Sequence, residues 1–312
     1  MARTLLRLSL SVVLLAALGC PSADVVTDDD DGGDDDAGDD DDAGDDDDAG
    51  PGADPAPLAE LSDGECPDLG TPGTKTFRSG GLEREVIVLF PTDPPSEMPV
   101  LFVWHGLGDT AANMAGWLRL QSFVNDNDAI AVVPSSTGNF VIEWDYANDG
   151  AEDLALFDDL RTCLVNELEA DVRRFSSTGF SAGGVWTSAL SMHRSTSLAT
   201  IVPMSGGLVT GLGYRTPEYT FPALIASGGL GNDTWGAGAF MQDFARSSDA
   251  FSEELRDDGH LVLRCNHGGG HQPSQHAVTF LEDWALTHEF GAPSPYADGD
   301  ISDLPDECGW EE

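Results

Sequence analysis

The sequence predicts an α/β fold, in which a mostly parallel sheet carries helices on both faces. Short apolar runs alternate with segments of helical periodicity from about Cys66 onward, which is typical of a parallel sheet with crossover helices. The runs are almost continuously apolar, as expected for strands that are buried on both faces. A single domain over residues 66–290 is consistent with this class.

The individual elements follow from these runs in chain order. Apolar runs bounded by Pro, Gly or other turn residues predict the strands. They are Val86–Phe90, Val100–Trp104, Ala129–Val133, Arg174–Thr178, Ile201–Met204, Pro222–Ala226 and His260–Cys265. Apolar residues that recur on one face predict the helices. They are Trp117–Val124, Asp153–Leu168, Ala182–His193, Phe240–Asp257 and His276–His288.

The formal net charge of the 312 residues is −42, and acidic side chains are in excess both in residues 20–54 and in residues 55–312. Residues 20–54 contain 17 acidic and no basic side chains, and residues 55–312 still carry a net charge of −27. Only one lysine, Lys75, occurs. Because binding phosphates requires Lys or Arg to neutralise them, we predict no nucleic-acid partner and repulsion from anionic lipid.

The first residues have the pattern of an export signal. Arg3 and Arg7 precede the apolar run Leu8–Leu18, which is shorter than the ~20 residues needed to span a bilayer. The run ends in Ala-Leu-Gly-Cys20, which resembles a bacterial lipobox, although a plain secretory signal with an incidental cysteine is the alternative. We therefore predict a signal peptide over residues 1–19 and lipidation of Cys20, so that the membrane is contacted only through this N-terminal lipid anchor. Pro21 stands where an inner-membrane retention signal has Asp, which favours an exported lipoprotein at the outer membrane or cell surface.

Both ends of the chain outside the predicted domain are rich in Asp. Residues 20–65 are predicted to be a disordered Asp-rich tether, because a dense like charge with few apolar residues cannot form a core. The repeated Asp-Asp-Asp-Asp-Ala-Gly unit lacks the spacing of an EF-hand loop, and Asp298, Asp300 and Asp303 match such a loop only in part. We predict no metal site, and a C-terminal extension over residues 291–312.

Four cysteines remain besides Cys20: Cys66, Cys163, Cys265 and Cys308. An even number in an exported chain predicts disulfides, with unpaired buried thiols as the alternative. Three pairings are possible and the sequence does not choose between them. A Cys66–Cys308 bond is favoured because it would tie the two ends of the domain together.

The strongest chemical motif is Gly179-Phe180-Ser181-Ala182-Gly183. It follows a predicted strand and opens a predicted helix, which is the context of a nucleophile elbow. Small residues on either side of the serine allow the strand and the helix to approach closely, and the serine oxygen lies at the positive end of the helix. Ser181 is therefore the predicted nucleophile.

A serine hydroxyl needs a base, and the base needs a group that orients it. In this strand-elbow-helix arrangement the acid and the histidine follow the serine in that order, each after a later strand. The Gly-rich loop after Pro222–Ala226 contains Asp233, and the loop after His260–Cys265 contains His271. Asp233 is predicted as the orienting acid, with Asp243 as a weaker alternative. His271 is predicted as the base, with His267 as its competitor.

The oxyanion formed during acyl transfer needs two backbone N–H donors. One is predicted at Ala182, directly after the nucleophile, and the other at Leu107, in the loop after Val100–Trp104. The side chain of His105 in the same loop is predicted to form structural hydrogen bonds. Trp144, Trp186 and Trp235 lie near these loops in sequence and are candidates to line a substrate pocket, although large aromatics more often belong to a core.

With these segments located, residues 76–290 resemble the polyhydroxybutyrate depolymerase and feruloyl esterase-like group of secreted α/β-hydrolases. The resemblance rests on His105-Gly106-x-Gly108, the acidic helix at Asp153–Asp159, Gly179–Gly184, and Gly268–His271. It implies an α/β-hydrolase fold and the hydrolysis of carboxylic esters through an acyl-enzyme, without a metal or organic cofactor. Its substrates range from hydroxyalkanoate oligomers to acylated plant polysaccharides. The sequence departs from the group at the acid, since Ser227-Gly228-Gly229 follow the strand and the Asp is displaced to 233.

Two further functions are compatible with the same residues. The triad also serves peptidases and lactone hydrolases, because a fold does not determine the substrate. A surface lipoprotein that binds its ligand without hydrolysing it could also retain this scaffold.

Overall fold

The computed structural model describes residues 52–138, 143–146, 150–238 and 241–310. The predicted signal peptide, the lipidation of Cys20 and most of the predicted tether lie outside the described residues. Within them, no helix is both long and apolar enough to cross a membrane.

The described residues form a nine-stranded sheet in the order β1-β2-β4-β3-β5-β6-β7-β10-β11, and a separate two-stranded ribbon, β8-β9. The six strands from β4 to β10 in this order are parallel, whereas β1, β2 and β11 join them in antiparallel pairs at the two edges. The strands are β1 Gly73–Ser79, β2 Leu82–Leu89, β3 Val100–Trp104, β4 Ile130–Pro134, β5 Phe175–Phe180, β6 Thr200–Met204, β7 Ala223–Ser227, β8 Thr234–Trp235, β9 Gln242–Asp243, β10 Val262–Asn266 and β11 Cys308–Trp310.

Helices cover both faces of the sheet, so the predicted fold class is confirmed. They are α1 Ala111–Trp117, α2 Leu120–Asn127, α3 Ala151–Leu168, α4 Ala182–His193, α5 Phe244–Asp257 and α6 Ala277–Thr279, which continues as a π-helical segment, Phe280–Ala285. Successive residues of β3 point to opposite faces and enter two separate cores. Phe102 packs with residues of α3, α4 and α5, whereas Leu101 packs with residues of α1, α2 and the π-helical segment.

Two predicted helices differ from the structure by an internal break or by a start four residues later. The predicted helix Trp117–Val124 spans the end of α1 and the start of α2, because Arg119 between them has a left-handed backbone with φ of 52°. A helix cannot continue through that conformation. The predicted helix from Phe240 begins only at Phe244, because the Asp243 side chain accepts a hydrogen bond from the N–H of Arg246 and caps α5.

The favoured Cys66–Cys308 disulfide is wrong. The structure pairs Cys66 with Cys163 in α3, and Cys265 in β10 with Cys308 in β11. Cys308 and Cys265 are direct partners in the β10–β11 register. The tail adds this strand at the edge of the sheet opposite β1, and no apolar run in the sequence indicates it.

Both segments that flank the predicted domain pack against it where they are described. Before residue 66, Arg161 in α3 donates to the carbonyl of Ala56 at 2.8 Å, and Asp159 accepts from the N–H of Ser62 at 2.9 Å. After residue 290, the ring of Tyr296 stacks on Trp284 with centroids 4.9 Å apart. The folded unit therefore extends beyond both predicted boundaries.

Candidate active site

Ser181 lies in a sharp turn between the end of β5 and the first residue of α4. Its backbone has φ of 56° and ψ of −119°, a conformation that is costly for a residue with a side chain. A Cβ atom at Gly183 would lie 2.0 Å from the carbonyl oxygen of Trp104, so only glycine fits there. The N–H of Ser181 donates to the carbonyl of Met204 at 3.0 Å, which fixes the turn against β6. This is the strand-turn-helix geometry that the motif predicts.

His271 lies between Ser181 and Asp233 and bonds to both. Its Nε2 is 3.0 Å from Ser181 Oγ, and its Nδ1 is 2.7 Å from Asp233 Oδ1. Because a carboxylate only accepts hydrogen bonds, we assign the imidazole proton to Nδ1, which leaves Nε2 as acceptor of the serine proton. The three side chains therefore form one continuous hydrogen-bonded chain.

The Asp233 carboxylate is fully buried, and its second oxygen is also occupied. Oδ2 accepts from the Ser205 hydroxyl at 2.9 Å and from the N–H of Gly228 at 2.8 Å. Three donors thus fix the plane of the carboxylate. The displacement of the acid to position 233 is accommodated because the Gly-rich loop folds back, with Asp233 N–H donating to the carbonyl of Gly229 at 2.9 Å.

Two aromatic rings pack against the imidazole of His271. Phe180 lies with its centroid 5.0 Å away, and Phe244 is stacked at 4.5 Å with planes 16° apart. The loop that carries His271 also pairs with the loop after β7, since the N–H of Gly270 donates to the carbonyl of Gly228 at 2.9 Å. The ring has little freedom to rotate away from Ser181.

The competing residues lie elsewhere. His267 Nδ1 accepts from the N–H of Gly269 at 3.2 Å, within its own loop. Asp243 caps α5 and pairs with Arg246 at 3.2 Å. The structure therefore brings together Ser181, His271 and Asp233, and not the two alternatives.

Two backbone N–H groups near the nucleophile have no acceptor among the residues that the structure describes. Ala182 is the first residue of α4, where helical N–H groups lack a partner. Leu107 lies in the loop after β3, and a Cβ atom at its neighbour Gly106 would be only 3.4 Å from Ser181 Cβ. Within the described residues, neither the Leu107 nor the Ala182 N–H donates to a protein atom. Both residues line the cleft above Ser181.

His105 in this loop is buried, and within the described residues its ring nitrogens bond to backbone groups. Its Nδ1 is 3.0 Å from the carbonyl of Gly106, and its Nε2 accepts from the N–H of Ser136 at 3.3 Å. It thus has the structural role that the sequence predicts. In the part of the chain that the structure describes, no three His, Cys, Asp or Glu side chains cluster in a way that could bind a metal ion.

A cleft of about 360 Å³ opens over Ser181, and its walls are mostly apolar. Trp235 and Met241 line it and are more than half exposed, so they form its mouth. Trp144 and Trp186 do not line it, since both are fully buried edge-on against Trp104 in the core. The candidate pocket role is thus wrong for these two. The other lining residues carry no sequence motif and come from α4, α5, β9 and irregular segments: Tyr146, Val185, Val209, Thr210, Gln242 and Phe244.

Comparison with known proteins finds feruloyl esterases among the sequence relatives. Feruloyl esterase D of Neurospora crassa is 25% identical over 242 residues, which cover 68% of this chain and 82% of that protein. Probable feruloyl esterase C of Aspergillus terreus is 29% identical over 136 residues, 41% of this chain, and the match spans about half of that protein (48%). No protein-family model matches the chain.

Solved structures show the fold. Native pOPH has a TM-score of 0.61 at 19% identity, with 78% of this chain and 95% of that chain covered. Native sOPH has the same TM-score at 17% identity, covering 78% and 96%. The S-formylglutathione hydrolase FrmB of Staphylococcus aureus has a TM-score of 0.51 at 13% identity, covering 69% and 96%. Together with the sheet order, these similarities identify an α/β-hydrolase fold.

Proposed function

We propose that this chain is a carboxylic ester hydrolase that uses Ser181 as its nucleophile. The observation that carries the proposal is the hydrogen-bonded chain from Ser181 through His271 to Asp233 at the base of an apolar cleft. The sequence relatives named feruloyl esterases support the same class of reaction.

In the first half of the reaction, Ser181 Oγ forms a bond to the ester carbonyl carbon while its proton passes to His271 Nε2. The resulting oxyanion accepts hydrogen bonds from the N–H groups of Leu107 and Ala182. The intermediate then collapses, the bond between carbon and the alcohol oxygen breaks, and His271 gives its proton to the leaving alcohol. An acyl group remains on Ser181.

In the second half, water replaces the alcohol. It attacks the acyl carbon and gives a proton to His271 Nε2, and that proton returns to Ser181 Oγ as the acid leaves. Asp233 accepts the Nδ1–H bond throughout, which stabilises the imidazolium that forms in each half. No metal or organic cofactor takes part in these steps.

The cleft favours an uncharged acyl group. Among the described residues that line it, no side chain is charged, and most of these residues are apolar or aromatic. Burial raises the pKa of Tyr146, so its hydroxyl stays neutral at physiological pH. Acylated polysaccharide esters and hydroxyalkanoate oligomers both fit this description, and the resemblance of the loop motifs implies both. The feruloyl esterase relatives favour the acylated polysaccharide esters.

Hydrolysis of short-chain p-nitrophenyl esters tests the proposal. We expect Ser181→Ala to lower kcat by several orders of magnitude with an unchanged melting temperature. A rate equal to that of the wild type would refute the assignment. A folded protein that neither hydrolyses esters nor reacts with a fluorophosphonate would favour a binding lipoprotein. Hydrolysis of amides or lactones in preference to esters would favour a peptidase or a lactone hydrolase.

We also propose that the chain is exported and anchored through a lipid on Cys20. The signal-like residues 1–19 support this, and two disulfides are typical of proteins in oxidising compartments. We expect the full chain to partition into the detergent phase of a bacterial extract and Cys20→Ala to move it to the aqueous phase. Equal partitioning of both proteins would contradict the anchor.

A further inference from the structure

The loop that carries Leu107 is attached at three points to residues 136, 143 and 144. Trp144 Nε1 donates to the carbonyl of His105 at 2.9 Å, and the N–H of Ser136 donates to His105 Nε2 at 3.3 Å. The third attachment lies on the other side of Leu107, where the N–H of Gly108 donates to Glu143 Oε1 at 3.1 Å. Leu107 is therefore flanked by anchored residues.

Glu143 joins this loop to a second segment through both carboxylate oxygens. Oε2 accepts a hydrogen bond from the Ser136 hydroxyl, while Oε1 accepts from Gly108. No Lys or Arg in the described residues forms an ion pair with Glu143. In the described residues both carboxylate oxygens thus accept hydrogen bonds from neutral donors. Such bonds are stronger to a carboxylate than to a neutral acceptor.

The backbone of Glu143 is also strained. Its φ is 75°, a left-handed conformation that is unfavourable for a residue with a side chain. Such a conformation persists only where surrounding contacts determine it, and it is concentrated at functional sites. The next residue, Trp144, is fully buried and bonds to His105, so the strained residue is fixed between two contacts with the same loop.

We propose that Glu143 is a positioning residue for the oxyanion hole. By fixing the N–H of Gly108, it sets the orientation of the peptide between Leu107 and Gly108 and, through it, the direction of the adjacent Leu107 N–H. Hydrogen bonds weaken steeply when the donor is misaligned, and removal of one oxyanion donor typically costs about 10²–10³ in kcat. The inference rests on the proposed function, because it assigns Leu107 as an oxyanion donor.

Substitution of Glu143 tests this role through kcat, KM and the binding of phenylboronic acid, which forms a tetrahedral adduct with a serine hydroxyl. We expect Glu143→Ala to lower kcat about tenfold with little change in KM. This loss is smaller than that caused by deleting an oxyanion donor, because the Leu107 N–H is still present and is only misaligned. The inhibition constant of phenylboronic acid should rise by a similar factor. Glu143→Gln should recover part of both losses, because its amide oxygen can still accept from Gly108.

Glu85 provides a matched control, because its carboxylate accepts from the Ser135 hydroxyl at 3.2 Å without contacting the loop. Glu85→Ala should retain the wild-type kcat. A wild-type kcat in Glu143→Ala, an equal loss in Glu85→Ala, or a change in KM alone would overturn the positioning role. If Ser181→Ala retains activity, the proposed function itself fails; if only the Glu143 variants behave as wild type, the failure is confined to this inference.

Discussion

Replacement of Asp233 by Asn should abolish esterase activity, because it moves the imidazole proton of His271 from Nδ1 to Nε2. Asp233 Oδ2 accepts from two donors, the Ser205 hydroxyl and the N–H of Gly228. In Asp233→Asn the amide oxygen must therefore take the Oδ2 position, because an NH₂ group there would face the Gly228 N–H. The NH₂ group then points at His271 Nδ1, so that Nδ1 becomes an acceptor and Nε2 carries the proton.

An imidazole protonated at Nε2 cannot take the proton of Ser181. Loss of the correct tautomer costs about 10⁴ in kcat, or about 5 kcal/mol of transition-state stabilisation. We expect this loss for Asp233→Asn in p-nitrophenyl ester hydrolysis at neutral pH, with nearly unchanged stability, because the substitution keeps the shape of the side chain.

Asp243→Asn is the matched control, since Asn caps a helix about as well as Asp and Asp243 does not contact His271. It should retain the wild-type kcat. A kcat for Asp233→Asn within tenfold of the wild type would refute the assignment of the acid, and a large loss in Asp243→Asn would transfer the role to that residue.

Two further predictions concern stability. Gly183→Ala places a methyl group 2.0 Å from a backbone carbonyl of β3, so we expect a lower melting temperature and loss of esterase activity. The control Gly116→Ala meets no atom within 4 Å and should be neutral or stabilising by about 0.5–1 kcal/mol. Equal melting temperatures of the two variants would contradict the close packing at the elbow. Burial lowers the pKa of His288 from 6.5 to about 4, so the unfolded chain binds more protons below pH 6.5. His288 therefore leaves the free energy of unfolding unchanged above pH 6.5, and about 3 kcal/mol of that free energy is lost by pH 4. Urea denaturation of the wild type and His288→Gln between pH 7 and 4.5 checks this, and an equal pH dependence in both proteins would contradict it.

The candidate site could be predicted from the sequence because its chemistry is local to strand ends. Ser181 is identified by its glycine neighbours, and Asp233 and His271 each lie in a Gly-rich loop directly after an apolar strand. In a parallel sheet the carboxyl ends of strands meet at one edge, so the chain order alone places these loops together. The structure assembles the same three residues.

Other features depend on contacts that leave no local pattern. The helix break at Arg119 interrupts an apolar periodicity that continues across it. The pairing of Cys265 with Cys308 depends on a three-residue strand, β11, that is too short to recognise and is flanked by acidic residues. Part of the cleft wall comes from irregular segments such as the one containing Tyr146, and only the packed structure brings them over Ser181.

The most direct test of the central claim is stoichiometric labelling of the folded protein with a fluorophosphonate, followed by peptide mass spectrometry. A serine activated by His271 should react once per chain, on the peptide that contains Ser181, and ester hydrolysis should disappear in proportion to the label. Ester hydrolysis that persists in fully labelled protein, or a label on a different serine, would contradict the claim that Ser181 is the nucleophile.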